Sequence, residues 1–246
     1  MTEATLSGRV ALVTGASGGL GAELSVRLAK EGAAVGVHYA GNRSAAERVA
    51  TAVAEAGARA VVVAADLGDA EEPERLVAEV EAALGPVDVL VANAGLGQPG
   101  SYEEIDAAAF DATLAVNLRA PYLLARRVLG GMRERRFGRI LFTSSVAAFT
   151  GGIVGPHYAA SKAGLHGLTH FLASRVARDG VTVNAIAPAL IERTTMLPGD
   201  PDDLAEHVPV GRLGTPEEVG DLAVAMLRNG YLTNQVVSID GGIYPH

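Results

Sequence analysis

The chain has 246 residues, 49% hydrophobic and 20% charged, a balance that suits a folded protein and excludes an unstructured one. Its formal net charge of -8 and pI near 5.3 argue against non-specific nucleic-acid binding, which requires a basic face. There is no cysteine, which rules out disulfides, thiolate metal sites and a cysteine nucleophile.

Short β-branched runs alternate with longer, alanine-rich amphipathic ones. Residues 9–14 (RVALVT) predict a strand and 19–31 a helix; 34–39 predict a strand and 44–56 a helix. A third strand is expected at 59–64, a helix at 71–84 and a fourth strand at 87–91. One long helix, bent near Pro121, is expected over 106–135, then a strand at 139–143, a helix at 158–179 and a strand at 181–186. A helix at 215–228 and a strand at 235–239 complete the pattern. Strands apolar on both faces and separated by helices indicate a parallel sheet covered on both sides. Right-handed crossovers favour a single-domain Rossmann fold, α/β and doubly wound, with seven strands. Residues 1–246 thus read as one domain, with 189–214, rich in Pro, Gly and Asp, as a mobile cover beyond the carboxyl ends of the strands. The first residues lack a basic segment followed by an apolar run, and no stretch reaches the ~20 apolar residues of a membrane span. A soluble cytoplasmic protein is expected.

After the first strand comes Thr14-Gly15-Ala16-Ser17-Gly18-Gly19-Leu20-Gly21. Glycines there let backbone approach a pyrophosphate, while the helix start offers unpaired N–H groups and positive dipole. A glycine turn is also useful between strand and helix without any ligand, and no Lys-Ser/Thr pair follows to make a P-loop. After the second strand, Tyr39, Asn42 and Arg43 stand where a diol-binding carboxylate would mark NAD, and no acid occurs until Glu47. Arg43 could meet a 2′-phosphate, so NADPH/NADP+ is expected over NADH; otherwise it is a solvated residue at a helix start. Asp66 and Leu67 after the third strand, and Asn93, Ala94 and Gly95 after the fourth, are placed to line adenosine and ribose. Asp66 could equally cap the next helix, and Asn93 could simply stitch the sheet.

Tyr158 and Lys162 are four apart, on one helix face, with Ser145 thirteen residues upstream. Reducing a ketone by hydride transfer creates an alkoxide that needs a proton donor. A phenol of pKa ~10 must drop by ~3 units, roughly 4 kcal/mol, to exchange near neutrality. A unit charge ~4 Å away at an effective dielectric of ~20 supplies about that much, so Lys162, aided by an oxidised nicotinamide, suffices. Ser145 can hydrogen-bond the substrate oxygen, and Asn117 could hold a water relaying protons to Lys162. A Tyr-x3-Lys pair alone is usually a solvated helix pair; the order of glycine turn, acid, Ser, Tyr and Lys tells against that here. A serine hydrolase would show G-x-S-x-G around Ser144 or Ser145, and neither has it. His157 and His166 have no histidine at i+4, so no metal site is expected; both read as packing or pocket lining.

These residues resemble the short-chain dehydrogenase/reductase family across essentially the whole chain. The matching pieces are the glycine turn of residues 14–21, Asp66, Asn93-Ala94-Gly95, Asn117, Ser145, Tyr158-x3-Lys162 and residues 184–188. The resemblance implies that Tyr158 is general acid/base, Ser145 orients the carbonyl, Lys162 stabilises the phenolate and binds ribose, and Asn117 joins the relay. It also implies Pro188 and Ile191 beside the nicotinamide, a strand order of 3-2-1-4-5-6-7, and a homotetramer or homodimer. Within the family the chain looks most like the β-ketoacyl-[acyl-carrier-protein] reductases, through residues 38–42, 137–140, 208–212 and 241–242. That likeness implies reduction of a 3-oxoacyl thioester, with Arg133, Arg135, Arg136, Arg175 and Arg178 as candidates to receive an acidic acyl carrier protein. Alternatives are reduction or dehydrogenation of another ketone or alcohol, such as a polyketide, steroid or sugar, or a non-catalytic NADP(H) sensor, which would need no proton donor. The chain departs from the family in having Pro188-Ala189 for Pro-Gly, and Arg193, then Thr194 and Thr195, for the threonine expected to hold the carboxamide. Its cover segment and its connection over 228–231 are also short.

Overall fold

A computed structural model, describing residues 6–194, 197 and 199–245, contains one sheet of seven parallel strands in the order β3-β2-β1-β4-β5-β6-β7. The strands are β1 Val10–Val13, β2 Ala34–Tyr39, β3 Ala60–Ala64, β4 Val89–Ala92, β5 Gly138–Thr143, β6 Val181–Pro188 and β7 Val236–Ile239. The helices are α1 Gly19–Lys30, α2 Arg43–Glu55, α3 Glu72–Leu84, α4 Ala107–Leu114, α5 Ala120–Glu134, α6 Ala147–Thr150, α7 Pro156–Val176, α8 Pro201–Ala205 and α9 Pro216–Arg228. The central strands are buried on both faces because their side chains alternate between two cores. Leu12, Leu90, Ile140 and Phe142 meet α3, α5 and α7 on one side. Val13, Val91, Leu141 and Ile186 meet α1, α2 and α9 on the other. Each fully buried side chain of this size contributes roughly 1.5–3 kcal/mol.

Three local findings refine the expected elements. The long helix predicted over 106–135 is interrupted by a π-helical turn at Ala115–Arg119, between α4 and α5. Pro121 lies in the first turn of α5, where its missing N–H breaks no hydrogen bond, so the interruption belongs to the π turn. α7 begins at Pro156, behind Gly155, which places Tyr158 in the first turn rather than at the helix start. The stretch read as a loop contains α8, and Leu204, Val208 and Leu213 form a small core with Leu190, Leu197 and Ile243. Among the described residues no helix is long and apolar enough to cross a membrane.

Candidate active site

The glycine turn joins the carboxyl end of β1 to α1, and its shape follows from close backbone contact. Gly15 has φ of 63°, and a Cβ there would come 2.9 Å from the Cα of Ala94. A Cβ on Gly21 would come 2.2 Å from the carbonyl oxygen of Gly15. Neither position tolerates a side chain, which explains two of the glycines without any ligand. Gly18 differs: it is exposed, and no described residue approaches within 4 Å of where its Cβ would stand. That open position lies at the N-terminus of α1, which has no side-chain cap to occupy its first N–H groups. Ser17, Gly19 and Leu20 are half-buried around it. The turn is held from the β4 side, where Nδ2 of Asn93 donates to the carbonyls of Thr14 (3.1 Å) and Gly15 (3.4 Å). Thr14 Oγ1 in turn accepts from the N–H groups of Asn93 and Ala94, both at 3.0 Å. Asn93 is therefore a stitch between β1 and β4, with Ala94 packed under Gly15 and Gly95 following on.

Beyond β2, Tyr39 is half-buried and Asn42 caps α2, its Oδ1 accepting from Ala45 N–H at 3.1 Å. Arg43 is exposed and pairs with Glu47 at 2.8 Å, so the first acid after β2 lies within reach of the proposed phosphate ligand. Asp66 is exposed and does not cap α3: its Oδ1 accepts from Gly68 N–H at 2.8 Å, while α3 begins only at Glu72. Leu67 beside it is buried.

The predicted catalytic side chains come together. Tyr158 and Lys162 lie on the buried face of α7, 7% and 2% exposed, with Nζ 5.6 Å from the phenol ring centroid. Ser145, after β5, hydrogen-bonds Tyr158 and also accepts from Ala147 N–H at 3.1 Å, which starts α6. Nζ of Lys162 donates to the carbonyl of Thr143 at 2.7 Å, tying α7 to the end of β5. Burial lowers the Lys162 pKa to about 8. Burial also pushes the Tyr158 phenol above its ordinary value, and the Ser145 hydrogen bond pulls it back only in part. In the chain by itself, desolvation of the phenolate outweighs the other influences on Tyr158.

Asn117 sits in the π turn, fully buried. Its Oδ1 accepts from Leu96 N–H (2.7 Å), and its amide donates to Leu96 O (2.8 Å) and Ser161 Oγ (3.0 Å). Ser161 Oγ then donates to Tyr158 O at 2.7 Å. Both amide hydrogens are engaged, so a relay water donated to by this side chain is not what the geometry offers. Asn117 instead clamps the loop after β4 to the first turn of α7. Ser161 and Thr143 were not singled out in the sequence; a serine at i+3 from Tyr158 and the residue closing β5 were the available signals.

His157 is fully buried, with no hydrogen-bond partner for either ring nitrogen among the described residues. His166 bonds Ser144 at 2.8 Å and packs on Phe149. Pro188 and Ile191 are buried at the end of β6 and just beyond it. Positive φ falls on Leu190 (48°) rather than on Ala189. Thr194 lies over Gly19, its Cγ2 3.5 Å from a Cβ built there, whereas Thr195 lies outside the described residues. The five arginines named for a carrier protein are misplaced for this site within one chain. α5 and α7 return toward the amino ends of β5 and β6, the opposite edge of the sheet. There Arg133 pairs with Asp179, Arg135 with Asp88, and Arg136 donates to the carbonyl of Arg178. Arg175, in the last turn of α7, donates to the carbonyl of Phe171.

The short chain dehydrogenase family model matches residues 9–204. Nodulation protein G of Azospirillum brasilense is 39% identical over 97% of this chain and 99% of its own length. Acetoacetyl-CoA reductase of Allochromatium vinosum is 36% identical, with the same coverage. Among solved structures, a blue fluorescent protein from a metagenomic library, in complex with NADPH, superposes with a TM-score of 0.91. It is 31% identical and covers 98% of this chain and all of its own. With a buried tyrosine and lysine and a half-buried serine at the carboxyl ends of the strands, where the glycine turn also lies, the chain belongs to the short-chain dehydrogenase family and is an oxidoreductase of CH–OH or C=O groups.

Proposed function

We propose that this enzyme reduces a ketone with NADPH, with Tyr158 as proton donor, Ser145 orienting the carbonyl and Lys162 supporting the phenolate. The observation that carries this reading is the burial of Tyr158, Lys162 and the Ser145 contact on one face at the end of β5. The unobstructed space at Gly18 and the uncapped start of α1 suit a pyrophosphate. The dinucleotide supplies the hydride. The chain's residues then have three tasks. Ser145 holds the carbonyl oxygen toward Tyr158, and Tyr158 gives that oxygen its proton. Lys162, fixed by Thr143, keeps a positive charge where the phenolate forms. Gly15, Ser17, Gly18, Gly19, Leu20 and Gly21 receive the phosphates, and Asp66, Leu67, Asn93, Ala94 and Gly95 line the adenosine and ribose. Pro188 and Ile191 wall the nicotinamide, and residues 189–214 cover the substrate.

For the cofactor, Arg43 at the start of α2, with no acid at the end of β2, supports NADPH. The NADPH complex of the metagenomic neighbour supports the same choice. For the substrate, the relative that reduces acetoacetyl-CoA supports a 3-oxoacyl thioester, including one on an acyl carrier protein. The charge around the mouth favours a second reading, a ketone without a polyanionic carrier. Residues 96–111, after β4, carry Glu103, Glu104, Asp106 and Asp111 and no lysine or arginine. In residues 189–214, Arg193 and Arg212 are both paired with carboxylates, beside Asp202, Asp203 and Glu206. Such a field repels phosphates, while the exposed Leu96, Tyr102 and Ile153 suit an apolar substrate. For assembly, exposed Tyr122 on α5 borders a groove lined by Leu114, Leu118 and Leu168, which supports a homodimer or homotetramer.

The test is absorbance at 340 nm with acetoacetyl-CoA, the same acyl group on N-acetylcysteamine, and neutral ketones, each with NADPH and NADH. No turnover with any ketone would sink the reading. Arg43→Ala should weaken NADPH binding about tenfold and NADH binding little. Equal losses would remove the case for the phosphorylated cofactor.

A further inference from the structure

His38 is the fifth residue of β2, in the apolar run AVGVHY, and is 2% exposed. A histidine so placed is usually a packed core residue. Its hydrogen bonds are not those of a packing residue. Nδ1 accepts from the N–H of Gly15 at 3.0 Å, and Nε2 lies 3.0 Å from the carbonyl oxygen of Ala65. Its own carbonyl accepts from Ala16 N–H at 2.8 Å. A backbone N–H can only donate and a carbonyl can only accept, so the partners themselves define the ring: neutral, with the proton on Nε2. One imidazole therefore joins the loop after β1, which is the glycine turn, to the segment after β3, which leads into Asp66. Its own strand runs on to Tyr39, Asn42 and Arg43.

We propose that neutral His38 is the positioning residue of the nucleotide pocket, fixing the glycine turn against the strands and loosening its hold when protonated at Nδ1. The proposal rests on the NADPH reading of this site. Protonation would set an N–H of the ring against the N–H of Gly15, two donors face to face in a buried position, and would add a charge there. The charged groups facing the ring are Glu72 and Arg75 of α3, and they are bonded to each other at 2.5 and 2.8 Å. Asp66, next to Ala65, accepts from Gly68. Burial is the largest influence on the ring and keeps its pKa below the usual 6.5. The sign follows. The unfolded or loosened chain binds the proton more readily than the ordered pocket. Nucleotide affinity is thus complete while the ring is neutral and declines as pH falls through the ring's lowered pKa.

The test is titration calorimetry with NADP+ from pH 8 to 5, on the wild type and His38→Asn. Asparagine can still accept from Gly15 but has no titrating group. The nucleotide's 2′-phosphate gains a proton over the same range in both proteins, so the difference between them reports the ring. The expected result is an affinity loss on acidification about tenfold greater in the wild type than in His38→Asn. Nitrogen-15 NMR of the wild-type ring should show an unprotonated Nδ1 and a protonated Nε2 at pH 8. It should also show a His38 pKa that NADP+ lowers further. Equal pH dependence in the two proteins, the opposite tautomer, or a His38 titration unmoved by NADP+ would each overturn the proposal. If His38→Asn does not fold, the NMR experiment decides alone. If the wild type binds no NADP+ at pH 8, the dinucleotide reading fails, and the tautomer at pH 8 still tests the assigned bonds.

Discussion

α7 and the segment 189–214 both contribute to the region beyond the carboxyl ends of the strands, yet they are built differently. In α7, Tyr158, Ser161 and Lys162 are buried; Ser161 links Asn117 to the Tyr158 carbonyl and Lys162 donates to the Thr143 carbonyl, by bonds of 2.7–3.0 Å. In 189–214 most charged side chains are exposed, Arg193 and Arg212 are anchored to Glu217 and Glu218 at the start of α9, and the apolar side chains form a core separate from the two main clusters. Two non-glycine residues there, Leu190 and Arg193, hold left-handed conformations, at a cost of roughly 1–2 kcal/mol each. On the proposed reading, the contrast puts proton transfer on the element least able to drift. The same reading leaves discrimination to a piece that can be rebuilt without disturbing the sheet.

The sharpest way to break this division is Tyr158→Phe. It should lower kcat by about 10³ while NADP+ affinity, measured by calorimetry, stays within about threefold. A rate near that of the wild type would remove the tyrosine from its role. Lys162 offers a pH experiment. Its folded pKa of about 8 lies below its ordinary 10.5, so the unfolded chain holds the proton more tightly between those values. Stability should therefore rise with pH from about 8 to 10.5, and denaturant titrations of Lys162→Met should lose that rise. An unchanged profile would place the lysine in water. The mildest test pairs two leucines. Leu165→Ala, in the core under α7, should cost about 2–5 kcal/mol of global stability. Leu204→Ala should cost under ~1 kcal/mol globally but raise the ketone KM several-fold and hasten proteolysis within 189–214. Equal global costs would mean that the cover is part of the main fold.

The alternation of β-branched and alanine-rich runs was enough to read seven strands, because each central strand is apolar on both faces and each crossover is helical. Tyr158, Lys162 and Ser145 were equally legible, since i,i+4 spacing and the end of a strand leave little freedom in where those groups point. The π turn was not, because it is stabilised by Asn117 reaching Leu96 and Ser161, contacts 21 and 44 residues away. Nor was the helix α8, whose five residues are too short for periodicity to register. The arginine cluster illustrates a different failure. Arg133, Arg135 and Arg136 were grouped by charge, although residues just before a strand of a parallel sheet must lie at the edge away from the site. Topology held that answer and composition hid it.

The π turn at Ala115–Arg119 also sets a rule for how this chain can change length. A single extra residue there advances the helix by about 100° relative to an uninterrupted one. Removing one residue from this stretch would restore ordinary helical winding, yet it would swing either Asn117 or everything in α4 away from its partners. Exposed loops such as 96–105 can absorb insertions, whereas this helix counts its residues. Shuffled or designed variants should therefore keep the spacing from Asp106 to Pro121 fixed even where every exposed side chain between them is exchanged.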